Sequence, residues 1–314
     1  MPNTRQGSIH LFRFAGVDLF LHWSWFLVAA YEIESHRRYY TSITWNILEY
    51  LALFSIVLMH EFGHALACRQ VGGTADQILL WPFGGVAYVN PPQRPGAMLW
   101  SIAAGPLVNV ALFPLLLAAV RVSRAQGWAQ TMHDPYNFLR AVFYINLSLL
   151  VFNLLPIYPL DGGQILRSLL WFVFGRGRSL MIATILGFLG IAGFIGFALL
   201  IHYPWLIAIS IYLLLVCWNG LRHAQVLLRQ EKIPRREGFA CPSCRMAPPV
   251  GARWKCGHCG QLFDTFETRA KCPGCGVQYD TTMCLHCREQ HPMNEWVVNP
   301  YAGMGIVGGT VPTK

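Results

Sequence analysis

The stretch Val57-Leu-Met-His-Glu-Phe-Gly-His-Ala-Leu-Ala67 decides how the rest of the chain is read. Residues four apart on a helix share a face, so His60 and His64 present two imidazoles one turn apart, with the Glu61 carboxylate beside them. Those residue types at that spacing suit two metal ligands and a general base. The setting sharpens the point. Leu51, Leu53, Phe54, Ile56, Val57 and Leu58 flank the run, and ionisable groups at membrane depth are costly unless they act together.

Apolar residues make up 54% of the 314 and charged residues 12%, about half the charge of a soluble domain. With 11 Trp and 19 Phe, this composition predicts a polytopic membrane protein with aromatic belts. The net charge of +9 follows from Lys and Arg gathered on cytoplasmic loops and does not argue for nucleic acid. The first apolar run lacks a small-residue cleavage pattern after it, so no cleaved signal is expected. Cys68 and Cys217 stand alone and read as buried small apolar residues, while the other eight cysteines fall between Cys241 and Cys287.

Working outward, residues 8–20 partly alternate and predict two short strands bent at Gly16. Leu19 to Ala30 is expected as a first span, Trp45 to Cys68 as a second, Met98 to Val120 as a third and Phe138 to Leu155 as a fourth. Leu180 to Ile201 and Pro204 to Trp218 complete six, most of them near the length a hydrocarbon core of about 30 Å requires. The Gly-rich stretch Val71–Val89 predicts two further strands around Pro82 to Gly85. Pro156 to Gly163 breaks the chain after the fourth span, and a helix restarts at Gln164. The bias of Arg and Lys places both termini in the cytoplasm. The second and fourth spans then descend together, bringing His60, His64 and Asp161 to a similar depth.

Catalytic zinc keeps three protein ligands and one open position. His60 and His64 supply two ligands, and Asp161 is the other carboxylate this topology brings to their depth. A water bound to such a zinc has a pKa of roughly 7. Glu61, adjacent but not a ligand, would take its proton and pass it to a leaving amine. Asn153 would donate its amide to a developing oxyanion. A substrate helix must unwind before attack, and the extended segment so formed pairs with an edge strand. The stretch Ile78–Val89 is the candidate edge, with Gly84, Gly85 and Val86 as the expected substrate contacts.

His60-Glu-Phe-Gly-His64, followed by Phe152-Asn-Leu-Leu-Pro-Ile-Tyr-Pro-Leu-Asp-Gly-Gly163, resembles the site-2 protease family of intramembrane zinc metalloproteases. Ala103-Ala-Gly-Pro-Leu-Val-Asn109 and the strands leading into His22-Trp-Ser-Trp25 are similar to that family too, so the resemblance covers about residues 8–220. It implies a six-helix membrane core with a small β-sheet near the cytoplasmic face. It implies zinc held by His60, His64 and Asp161, with Glu61 as base and Asn153 near the scissile carbonyl. The implied substrates are membrane-spanning helices, often of signalling proteins or anti-sigma factors. Unlike some members, no PDZ domain interrupts this core.

The tail holds four knuckles: Cys241-x2-Cys244, Cys256-x2-Cys259, Cys272-x2-Cys275 and Cys284-x2-Cys287, separated by gaps of 11, 12 and 8 residues. Two closed zinc sites of four thiolates account for all eight cysteines, and the hairpin-length gaps favour sequential pairing as two zinc ribbons. Three zinc ions per chain are therefore expected, one catalytic and two structural. Residues 231–314 hold ten Lys or Arg against seven Asp or Glu, too mild a balance for nucleic acid, so a cytoplasmic protein partner is preferred. The expected organisation is an all-α polytopic membrane core at 1–220, a basic cytoplasmic linker at 221–240, a double zinc ribbon at 241–290 and a flexible tail at 291–314.

The expected function is intramembrane zinc endopeptidase. An ion or zinc transporter would need charged residues through the last two spans, which have none. A membrane-anchored zinc-ribbon adaptor with a vestigial metal site would have no use for an intact Glu61.

Overall fold

The computed structural model describes residues 7–35, 37–81, 84–202 and 204–298, which divide into two compact units at Leu228/Arg229. Pro82 and Phe83 of the expected turn, and residues 299–314 of the expected flexible tail, lie outside the described residues.

The first unit opens with a hairpin, β1 (Ser8–Phe14) and β2 (Val17–His22). Ala15 and Gly16, both at positive φ (49° and 77°), form its two-residue turn, a backbone whose twist suits a tight hairpin. β3 (Thr74–Trp81) pairs parallel with β2, and β4 (Gly84–Asn90) pairs antiparallel with β3. The sheet order is β1-β2-β3-β4, which leaves β4 on an edge.

The helices are α1 (Trp25–Ser35), α2 (Ile43–Gln70), α3 (Pro95–Ala125), the short α4 (Trp128–Thr131), α5 (His133–Leu154), α6 (Asp161–Phe174), α7 (Arg176–Leu200) and α8 (Pro204–Glu231). Among the described residues α2, α3, α5, α7 and α8 are long and apolar enough to cross a membrane.

The first expected span is different. Leu19 to His22 belongs to β2, because Val17, Leu19 and Leu21 alternate onto the buried face of the sheet and Leu19–Leu21 pair with Ile78–Leu80. What remains is the 11-residue α1, which rises about 16 Å, roughly half a hydrocarbon core. The helix after the fourth span begins at Asp161 itself, not at Gln164. α8 runs past Trp218 to Glu231, through much of the stretch expected as a linker.

Sheet and helix form one core. Val17, Leu19, Leu21, Ile78 and Leu80 pack against Val57, Ala65 and Cys68 of α2. At the end of α2, Arg69 donates to the Gly16 carbonyl at 2.9 Å and to the Ala15 and Ala75 carbonyls, tying the hairpin to the helix. The sheet is thereby fixed over the His60–His64 end of α2.

The second unit is small and built around sulfur. β5 (Trp254–Lys255) pairs with β6 (Leu262–Phe263), and β7 (Thr281–Met283) with β8 (Gln290–Pro292). Trp254, Phe263, Phe266 and Trp296 pack with the buried cysteines as its core. The knuckles are nested, which corrects the sequential pairing. Cys241 and Cys244 meet Cys287 and Cys284, with Sγ–Sγ distances of 3.6 and 3.8 Å, and Cys256 and Cys259 meet Cys275 and Cys272, both at 3.6 Å. The inner two knuckles close on themselves; the outer two are joined through the aromatic core, which gap lengths alone do not reveal. Nesting has a measurable consequence. Cys241→Ser combined with Cys287→Ser should cost one zinc ion per chain, and Cys241→Ser combined with Cys256→Ser two, read by metal analysis of the purified chain.

Candidate metal centre

His60 and His64 occupy successive turns of α2, and Asp161 is the first residue of α6. Their ligand atoms converge. His60 Nε2 lies 3.0 Å and His64 Nε2 3.4 Å from Asp161 Oδ2, and the two Nε2 atoms are 3.2 Å apart. Zinc with bonds of about 2.0–2.1 Å separates tetrahedral ligand atoms by roughly 3.3 Å, so this triangle fits one face of its coordination shell.

The imidazoles are held for that purpose. His64 Nδ1 lies 2.9 Å from the Ser101 carbonyl, which can only accept, so Nδ1 carries the proton and Nε2 offers its lone pair. His60 Nδ1 donates likewise to Asn109 Oδ1 at 2.6 Å. Asn109 is itself fixed, donating through Nδ2 to Asn146 Oδ1 at 2.8 Å, while Asn146 donates back to the Asn109 carbonyl at 3.1 Å. Both asparagines are fully buried. Two lone pairs and a carboxylate aimed at one point repel one another unless a cation lies between them. The donor set fits a zinc ion with one position left open.

Sequence reasoning assigns no metal-site role to Asn109, Asn146 or Ser101. Nothing in the spacing of Ser101 reveals it, because its backbone carbonyl does the work. Asn109 sits in the Ala103–Asn109 stretch already marked by resemblance.

Glu61 is buried but stands apart from the ligand triangle. Its Oε2 accepts a 2.9 Å hydrogen bond from the Ala87 N–H of β4. Two glycines permit the close approaches. A Cβ at Gly85 would lie 2.3–2.6 Å from the Glu61 side chain, and one at Gly105 of α3 would lie 2.3 Å from His64 Nε2. Ala87 aims its amide away from β3, and by the alternation of an antiparallel ladder Gly85 and Val89 do so too. The free edge of β4 therefore faces the metal centre. Of the other expected substrate contacts, Val86 pairs with Leu79 inside the ladder and Gly84, at φ 129°, pairs with Trp81 at its end. Asn153 lies half-buried in the last turn of α5, and among the described residues no hydrogen bond joins it to the triangle.

The cysteine clusters meet the same test. Four sulfurs around zinc, at bonds of about 2.3 Å, sit roughly 3.8 Å apart, which the observed separations match. The Cys259 N–H and the Tyr279 hydroxyl pull the Cys256 thiol down to about 5. Burial and then the neighbouring sulfurs push Cys244 up to about 12, so four thiolates need a cation among them.

With this geometry in view, comparison with known proteins is direct. The chain matches the model of Peptidase family M50 over residues 49–134 and 120–197, which contain His60, Glu61, His64 and Asp161. This chain belongs to peptidase family M50. It is 34% identical over 182 residues to a zinc metalloprotease of Methanocaldococcus jannaschii, covering 57% of this chain and 50% of that one. It is 37% identical over 130 residues to stage IV sporulation protein FB of Bacillus subtilis, covering 40% of this chain and 41% of that one. The chain thus spans about half the length of these curated relatives or less. A solved structure, the site-2 protease from Methanocaldococcus jannaschii, aligns with a TM-score of 0.49 at 27% identity, over 68% of this chain and 95% of that one. Five apolar helices and M50 membership make the first unit an integral membrane domain.

The asparagine relay is open to test. Asn109→Leu keeps bulk but removes the acceptor for His60, and losses of that kind cost about 10–100-fold in metal affinity. Titration with a competing chelator should show that loss at one site per chain, with the cysteine sites unchanged.

Proposed function

We propose that this M50 chain is an intramembrane zinc endopeptidase that cleaves peptide bonds in or near membrane-spanning segments of other proteins. The observation that carries the reading is the open ligand triangle of His60, His64 and Asp161 with an unligated carboxylate, Glu61, beside it. A purely structural zinc site is closed and has no use for such a carboxylate.

Zinc held there supplies a Lewis acid and a water of lowered pKa. The protein's own groups do the rest. Glu61, one oxygen held by Ala87, keeps its other oxygen for the proton of the attacking water and delivers that proton to the leaving nitrogen. Asn153 offers its amide to the carbonyl oxygen as negative charge develops. The free edge of β4, through the backbone of Gly85, Ala87 and Val89, takes up the substrate as an added strand, which satisfies the amides an unwound helix exposes. A cavity of about 1070 Å³ lined by Asn46, Glu49, Ser148, Phe152 and Leu155 gives room for a membrane segment.

In the same reading both termini lie in the cytoplasm, and the chain carries three zinc ions. The Cys-rich unit serves as a protein-contact module there.

Two experiments test this. Purified protein should cleave members of a panel of transmembrane substrates, and Glu61→Gln should lower kcat by about 10²–10⁴-fold with site zinc retained; undiminished cleavage by that variant overturns the mechanism. Val89→Pro, which removes an amide from the free edge of β4, should raise KM with zinc content unchanged, while an unaltered KM overturns the edge-strand role.

A further inference from the structure

The cavity beside α2 and α5 is lined by a polar group that the protein leaves unmet. Asn46, near the start of α2, is only 3% exposed, yet neither its Oδ1 nor its Nδ2 has a hydrogen-bond partner among the described residues. A buried carboxamide with both ends unpaired costs free energy that a leucine in its place would not, and more so in a helix that crosses a bilayer. The charged neighbours are engaged within the protein. Glu49, one turn along α2, accepts from the Tyr40 hydroxyl, and Arg140 of α5 lies over the Tyr136 and Tyr144 rings. What Asn46 lacks is therefore a neutral group that donates and accepts at once.

The cavity's shape says what carries that group. Its α5 wall runs from Asn137 to Phe152, a rise of about 22 Å. Tyr144 and Val151 on that wall are 52% and 55% exposed, so the cavity is a groove on the flank of the bundle. Its volume of about 1070 Å³ lies above the range of about 300–1,000 Å³ usual for small molecules. Leu53, Ile145 and Ile209 make much of the remaining wall apolar. A long apolar groove of this kind suits a membrane-spanning segment. Within such a segment, the carboxamide of Asn or Gln presents donor and acceptor side by side, as Asn46 does, whereas a charged side chain offers one sense only.

We propose that Asn46 pairs with the carboxamide of an Asn or Gln on the substrate's membrane segment as that segment lies in the groove. The inference rests on the reading of this chain as an endopeptidase for membrane segments, and names what it selects. Asn46 precedes His60 by about 21 Å along α2. The paired residue therefore lies about 14 residues from the cleaved bond where the segment stays helical, and fewer where it is unwound. Recognition so far from the metal centre acts on binding and leaves the chemical step alone.

The full chain carrying Glu61→Gln, so that no peptide is consumed, should be titrated in nanodiscs with fluorescent transmembrane peptides of about 20 residues. One peptide is all leucine, and two carry a single Asn near one end or the other. An Asn peptide should bind about three- to tenfold more tightly than the leucine peptide. With Asn46→Leu added, all three should bind alike, with site zinc retained and Tm no lower, because the group removed had no partner. Equal binding of the three peptides before that change would overturn the proposal and leave a groove for apolar chains alone. So would a preference for Asn that survives Asn46→Leu, and so would a marked fall in Tm, which would mean that Asn46 has an internal partner. Cleavage of transmembrane substrates by the parent without any such preference would strike this inference and spare the endopeptidase reading. The preference without cleavage would uphold the pairing and strike that reading instead.

Discussion

Everything in the membrane unit answers to one constraint: two imidazole lone pairs and a carboxylate oxygen point at a common centre inside an apolar helix bundle. Left alone, such a set would rotate apart or take up protons. It stays convergent because each imidazole is anchored from behind, His64 by the Ser101 carbonyl and His60 by Asn109. Asn109 is locked in turn by Asn146, so α2, α3 and α5 share a buried polar chain with every amide occupied in one direction. Buried polar networks stabilise only when every member is satisfied. Gly105 completes the arrangement, since any side chain there would occupy the space of the His64 ring.

The same constraint explains what could be read in advance. His60, Glu61, His64 and Asp161 are legible because the chemistry needs those side chains at those spacings, and because ionisable groups stand out against Leu and Phe. The spans are legible because a bilayer demands length. The first one misleads because Leu19 to Leu21 is apolar for a different reason: it pairs into a sheet, and a short run of that composition reads equally as the start of a helix. Ser101 is invisible because its contribution is a carbonyl that every residue has.

The Cys-rich unit shows the limit of spacing as a guide. Short gaps between knuckles make adjacent pairing sterically easy, yet a two-site unit also needs a core. Nesting the inner pair, Cys256–Cys275, within the outer pair, Cys241–Cys287, brings Trp254, Phe266 and Trp296 together between the two clusters. In so small a unit the aromatic contact and the metal sites must be satisfied together, because neither supplies enough stability alone.

In the proposed reading, the position of β4 ties substrate uptake to the chemistry. Ala87 has one N–H, and it is engaged by Glu61. A substrate strand added to the free edge of β4 would seek amides from the same edge, at Gly85, Ala87 and Val89. The Ala87 hydrogen bond must then be shared or surrendered. Strand addition in the proposed reading would thus free Glu61 Oε2 as a scissile carbonyl arrives. In the absence of substrate, β4 keeps Glu61 occupied beside the ligand triangle. In that reading, pairing of β4 with an unwound segment also frees the carboxylate that deprotonates the attacking water, with no moving part larger than one hydrogen bond.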